Sequence, residues 1–167
     1  VIARMQVEPV VLQGEGVRLE PLQQDHANGL YNRGRTAADW SYMPRACFID
    51  LADTRQWIDE ALAAPDQLPF AIVETGKNRV VGSTRYLNIR PEHRSLEIGW
   101  TWYATRVQRT ALNTEAKRLL LGHAFDTLDC IAVEFRTHRF NGASRRAIER
   151  LGAQLDGVLR SHQRSAD

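Results

Sequence analysis

Apolar positions change period several times along the 167-residue chain, and each change marks a different element. In GVRLEPL (16–22) Val17 and Leu19 alternate with Arg18 and Glu20, the two-residue period of a half-buried strand. QQDHANGLYNRGR (23–35) supports a first helix, weakened by Gly29, and Pro44 makes SYMPRACF (41–48) a loop. ADTRQWIDEALAA (52–64) places Trp57, Ile58, Ala61 and Leu62 on one helical face, with Asp53 or Thr54 as cap. PFAIVE (69–74) and VVGSTRYLNI (80–89) then read as strands joined by the hairpin signal TGKNR. SLEIGWTWY (95–103) continues the meander. Strict alternation puts Leu96, Ile98, Trp100 and Trp102 on one face, and Glu97, Gly99, Thr101 and Tyr103 on the other.

Downstream, Ala116, Leu119, Leu120, Ala124 and Leu128 build an apolar stripe on a helix over 114–128. CIAVEFRTH (130–138) reads as a strand, GASRRAIERLG (142–152) as a short helix and AQLDGVLRSH (153–162) as a last strand. The predicted order is β-α-α-β-β-β-α-β-α-β, an α/β (α+β) chain with a mixed central sheet. Strands 95–103 and 130–138 are joined through a helix and are expected to be parallel, whereas the hairpin strands are antiparallel.

Composition narrows the class without naming a function. At 43% hydrophobic and 25% charged the chain reads as a single globular domain over 1–167, with 1–15 as a flexible lead and Met5 as a natural start. No apolar run reaches the length of a membrane span, and the N-terminal patch lacks the long apolar region of a secretory signal. Cys47 and Cys130 match no zinc or redox spacing, and free thiols point to a reducing, cytoplasmic setting. No His/Cys/Asp cluster has the spacing of a metal site. Net charge is only +2 with a pI near 8.8. That excess is too small to predict a nucleic-acid-binding face, although nearly all of it is Arg, with Lys only at 77 and 117.

Candidate chemistry centres on VQRTALNTEAKRLLLGHAF (107–125), where a donor-rich turn leads from a strand into the amphipathic helix. Asn113 is the expected N-cap, and Gln108, Arg109, Thr110 and Ala111 carry backbone N–H groups free to meet an anion. Arg109 and Thr110 can add side-chain contacts. Glu115 would repel a phosphate and is expected to point away. By spacing alone, most such turns bind nothing.

The arrangement EIGWTWY…QRTALNTEAKRLLLGHAF…VEFRTHRFNGASRRAIERLGA resembles the acetyl-CoA-binding core of the GNAT acetyltransferases, and more narrowly their RimJ/RimL-like branch. The resemblance runs from GVRLEPL to GVLRSH. It implies the GNAT fold, with strands 95–103 and 130–138 (fourth and fifth in that fold's count) splayed around the cofactor cleft. The family pattern Q/R-x-x-G-x-G/A, whose amides hold the CoA pyrophosphate, falls on Gln108 to Asn113, with Ala111 and Asn113 at the glycine positions. A positive φ at 111 would cost alanine about 1 kcal/mol or more, whereas a helical φ would cost nothing.

By that resemblance acetyl-CoA is a substrate. Gln108, Arg109, Thr110, Ala111, Asn113 and Thr114 would sit at its pyrophosphate; Asn141 would contact the cofactor or simply cap helix 142–152, and Arg145 and Arg146 would meet the CoA 3′-phosphate or only solvent. The backbone of Thr101, Trp102 and Tyr103 would hold the pantetheine arm, with Gly99 marking a bulge or close approach. Glu97 is the candidate general base, its alternative being a structural pair with one of the many arginines, for example Arg94 or Arg85. The family's general-acid Tyr falls on Ile148, which leaves Ser144 as candidate acid, with an alternative as a helix-terminus hydrogen bond. His138 is a second base candidate. Trp40, Tyr42, Met43 and His93 are candidate walls of an acceptor pocket.

The activity implied is acetyl transfer to a primary amine, on a protein N-terminus or a small molecule, by direct attack in a ternary complex. Two other readings compete: a non-catalytic acyl-CoA sensor and a ribosome- or RNA-associated module. The family usually closes its sheet with one more strand after GVLRSH, and none follows here. Either the sequence or its ordered part stops early, or a partner chain, as in a homodimer, supplies that edge.

Overall fold

The computed structural model describes residues 5–164. Among these, six strands form one mixed sheet in chain order: β1 (Leu12–Gln13), β2 (Val17–Pro21), β3 (Leu68–Glu74), β4 (Arg79–Arg90), β5 (Ser95–Tyr103) and β6 (Ala132–Phe135). Pairing is antiparallel from β1 through β5, and β6 joins β5 in parallel, as the helical crossover requires. Helices α1 (Ala27–Arg33) and α2 (Leu51–Ala63) precede β3, α3 (Ala111–Gly122) links β5 to β6, and α4 (Gly142–Arg150) follows. A single π-type turn, His123–Thr127, extends α3. No described helix is long and apolar enough to cross a membrane.

Two apolar layers clamp the sheet. Val17, Leu19, Phe70, Ile72, Leu96 and Ile98 meet the α3 stripe of Ala116, Leu120 and Ala124 on one face. On the other, Ala71 and Trp102 meet Leu30, Trp57 and Ile58 of α1 and α2, with Trp40 and Phe48 from the loop between them. Each such large side chain contributes roughly 1.5–3 kcal/mol when buried. The uninterrupted apolar run in β3 is explained by its central place, covered on both faces.

Several expectations are corrected. Residues 1–4 of the expected flexible lead lie outside the described residues; from Met5 onward that segment is packed. Met5 is buried against the α3 layer, and Leu12–Gln13 pair with Leu19 and Arg18. The carboxylate of Glu115 fastens this segment, accepting from Glu15 N at 2.6 Å and Gly16 N at 3.1 Å. Asp50 caps α2 in place of Asp53 or Thr54, its side chain accepting from Asp53 N at 2.7 Å. No strand forms over 153–162: Leu155, Val158 and Leu159 are exposed, and nothing among the described residues pairs with the outer edge of β6. Consistently, α4 buries none of its residues.

The largest correction concerns β5. The register against β4 shifts between Ser83 and Arg85, so that Arg85 opposes Gly99 while Ser83 opposes Trp102. Trp100 absorbs the extra residue with φ +50, a conformation bulky side chains rarely adopt. The alternation therefore changes phase. Leu96, Ile98, Thr101 and Tyr103 face α3, whereas Glu97, Gly99, Trp100 and Trp102 face α1 and α2. Gly82 permits this, because a Cβ there would collide with the carbonyl oxygen of Trp102.

Candidate active site

The strands around the bulge set the geometry. β6 pairs with β5 only over Ser95–Ile98, and β5 then runs on to Tyr103 without that neighbour, opening a splay from Gly99 onward. Behind the splay, facing α3, Thr101 Oγ1 lies 2.9 Å from Thr84 Oγ1 and accepts from Lys117 Nζ at 2.6 Å. Lys117 is 7% exposed, and burial pulls its pKa down to about 7. This polar trio is the break in an otherwise apolar layer, and it braces the bulge against α3.

Glu97 stands on the opposite face, its side chain 6% exposed. Its Oε2 accepts from Asn88 Nδ2 at 2.6 Å and lies 3.6 Å from Arg136 Nε. Asn88 reaches it through a second bulge, this one on β4, where Asn88 takes φ +47; asparagine tolerates that region. Oε1 accepts no hydrogen bond among the described residues and lies over Gly99, 3.5 Å from where a Cβ would stand. Burial raises the Glu97 pKa, opposed by the Asn88 hydrogen bond and by Arg136, while the neighbouring Glu134 pushes it up again. Asn88 and Arg136 also line an open cleft of about 290 Å³ with Asp66, Ile89, Arg90 and Glu134. The arginine that pairs with Glu97 is Arg136, whereas Arg94 pairs with Asp129 and Arg85 hydrogen-bonds Gln67.

The turn before α3 begins the helix earlier than expected. Thr110, not Asn113, is the N-cap, its Oγ1 accepting from Leu112 N at 3.3 Å and donating to Val107 O at 2.7 Å. Arg109 takes φ +60, so Ala111 enters the helix at its first position with no positive φ. The alanine in place of glycine is thus unstrained. Backbone N–H groups of Arg109, Thr110 and Ala111 have no partner among the described residues, and they crown a dipole end anchored by the α3 stripe. Asn113 lies in the first turn with its buried Oδ1 unpartnered. Glu115 points away to the β1–β2 turn, as electrostatics demands. Free backbone donors and a removed carboxylate fit a pyrophosphate at this turn.

Gln108 is committed elsewhere, its Nε2 donating to Asp39 Oδ1 at 2.7 Å and Tyr103 O at 3.0 Å. Asp39 also accepts from Thr105 Oγ1 at 2.9 Å, pinning the turn to the α1–α2 segment. Thr114 is half-buried within α3. Trp102 and Tyr103 bury their side chains in opposite core layers. Asn141 caps α4 through Ser144 N at 3.1 Å, and Arg145 donates to Arg139 O at 3.3 Å. No hydrogen bond joins Ser144 to Glu97 among the described residues. His138 accepts from Phe140 N and stacks on exposed Tyr42 at 5.3 Å. Trp40 is core, 5.0 Å from both Phe48 and Trp102, with Met43 packed against that cluster. His93 is exposed on the β4–β5 turn. The contacts of Asn88, Asp39, Lys117 and Arg136 were not foreseen, because they depend on bulges, register and tertiary packing that periodicity does not carry.

Comparisons with known proteins agree on the fold. A family model described as acetyltransferase (GNAT) domain matches residues 17–154. A GCN5-related N-acetyltransferase from Brucella melitensis is similar at 30% identity and TM-score 0.91, over 96% of this chain and 74% of its own. A probable acetyltransferase of the GNAT family from Chromobacterium violaceum is similar at 28% identity and TM-score 0.88, over 96% and 81%. An acetyl transferase from Salmonella typhimurium that modifies the N-terminal serine of the 50S ribosomal subunit protein L7/L12 shares the fold, at 15% identity and TM-score 0.81, over 93% and 91%. No curated protein matches the chain.

Proposed function

The chain belongs to the GNAT acetyltransferase family, whose members draw their acetyl group from acetyl-CoA, and from that premise we propose that it acetylates a primary amine by direct attack within a ternary complex. The observation that carries this reading is Glu97. Its carboxylate is nearly dry and fixed through one oxygen by Asn88, and its other oxygen is free over Gly99 where β5 and β6 part.

Acetyl-CoA supplies an activated thioester. The N–H groups of Arg109, Thr110 and Ala111, with Asn113, hold its pyrophosphate, and the β5 backbone over Thr101, Trp102 and Tyr103 holds its pantetheine arm. An amine attacks only when neutral, and at neutral pH it arrives protonated. Oε1 of Glu97 takes that proton, directly or through one water, and the raised pKa brings the carboxylate closer to the pH at which it must work. The departing thiolate is protonated by Ser144 or by solvent.

The test is turnover of acetyl-CoA against a panel of free amino acids, their amides, small amines and peptides, following thiol release and product mass. One equivalent of N-acetyl product per thiol is expected. Tight CoA binding without any N-acetyl product would instead make the chain an acyl-CoA sensor. Strongly salt-dependent RNA binding by a variant unable to bind CoA would favour the ribosome-associated reading.

A further inference from the structure

Arg85 is a buried charged group that the proposed chemistry leaves unused. It lies on β4, opposite Gly99, and is only 5% exposed. Its guanidinium is held between two rings, 4.8 Å from the centroid of Trp100 and 5.4 Å from that of Trp57. One nitrogen, Nη1, donates to Gln67 Oε1 at 2.8 Å. Nε is buried with no partner, and Nη2 makes no hydrogen bond among the described residues. Burial alone pulls its pKa down to about 10, with no carboxylate acting on it.

A buried cation without a counterion is strongly unfavourable, and two cation–π contacts with one neutral hydrogen bond compensate it only in part. The unpartnered Nε and Nη2 form one edge of the planar fork, the geometry that receives a carboxylate bidentately. Arg85 is on the face of the sheet that carries Glu97, diagonal to it across β4 and β5, a Cα separation of about 7–8 Å for such neighbours. Gly99 carries no side chain on that face, and Leu87 Cδ2 and the free oxygen of Glu97 stand 3.1 and 3.5 Å from the position a Cβ there would take.

We propose that the Nε/Nη2 edge of Arg85 receives the carboxylate of the acceptor, so that the substrate is a small amino-acid-type amine whose nitrogen lies toward Glu97. This rests on the amine-acetylating role given to Glu97 above. A protein N-terminus carries an amide where this carboxylate would be, and therefore does not satisfy the fork.

The experiment compares acetylation of free amino acids with that of their matched amides, in wild type, Arg85→Met and Arg85→Lys. Calorimetry follows the binding of each acid to the CoA-loaded protein. Wild type should favour the acid at least about 100-fold in kcat/KM, because a site built for a polar group rejects the analogue that lacks it. Arg85→Met should erase that preference through KM with CoA affinity unchanged, and Arg85→Lys should restore part of it. Amides acetylated as fast as acids by wild type would overturn the Arg85 site while leaving the transferase reading intact, and this comparison holds even if Arg85→Met fails to fold. A preference that survives in a folded Arg85→Met would overturn it as well. Acids that bind through Arg85 but are never acetylated would overturn the transferase reading and keep the site. Neither binding nor turnover would overturn both.

Discussion

Replacing Lys117 by Met removes a buried charge while keeping the stem that packs among Ala116 and Leu120. A fall from the ordinary 10.5 to about 7 places ~5 kcal/mol on the charged form at 1.36 kcal/mol per pH unit. The folded protein holds its proton less tightly than the unfolded chain, so between about pH 7 and 10.5 the unfolded state binds more protons. Stability of the wild type therefore rises with pH across that window, by at most ~1.4 kcal/mol per unit, and is flat below it. The variant loses the 2.6 Å bond to Thr101, which keeps Thr84 as partner, a loss of about 1 kcal/mol. The net expectation is a gain of up to ~4 kcal/mol near pH 6.5 that vanishes toward pH 10. Urea unfolding of both proteins from pH 6.5 to 9 reads this directly. Cys130, Tyr86 and Tyr103, whose pKa values burial raises, are common to both and cancel in the difference. Parallel pH dependences, or a variant less stable throughout, would refute the claim that Lys117 is a desolvated amine.

Three further substitutions probe the architecture. Gly82→Ala should destabilise by about 3 kcal/mol, because the added methyl meets backbone atoms of Trp102 and Tyr103 that cannot yield; a normal urea midpoint would argue against the bulge. Asn113→Phe should weaken CoA binding at least about tenfold by calorimetry by filling the first turn of α3, and wild-type affinity would remove that turn as the pyrophosphate site. Asp39→Ala releases Gln108 and Thr105 and should weaken CoA several-fold without changing the unfolding free energy by more than about 1 kcal/mol. An unaltered CoA affinity would show that Asp39 does not position the turn.

The order of the interior elements was legible because each announces its period. Val17 and Leu19 mark β2, PFAIVE marks the central strand, and the α3 stripe appears at helical spacing. Phase within β5 was not legible. Alternation assumes an unbroken pleat, whereas Trp100 at φ +50 resets it and sends Thr101 to α3 and Glu97 to α1 and α2. The start of α3 was expected at Asn113, whereas the positive φ at Arg109 lets Thr110 cap the helix three residues earlier. β1 is two residues long, too short to show any period. Apolar residues at 155, 158 and 159 were read as a strand, yet without a paired edge they remain exposed. The residues around Glu97 come from a β4 bulge and from the segment after β6, positions related only through register.

The most direct measurement is the pH dependence of kcat/KM for acetyl transfer to an amine by wild type and Glu97→Gln. A base must be deprotonated, so wild-type activity should fall as pH drops through the raised Glu97 pKa, above the ordinary carboxylate range. In Glu97→Gln that acid limb should give way to one set by the amine's own, higher pKa, and the rate should fall by roughly 10²–10⁴-fold, with CoA affinity unchanged. An acid limb of the same midpoint in both proteins, at comparable rates, would contradict the account.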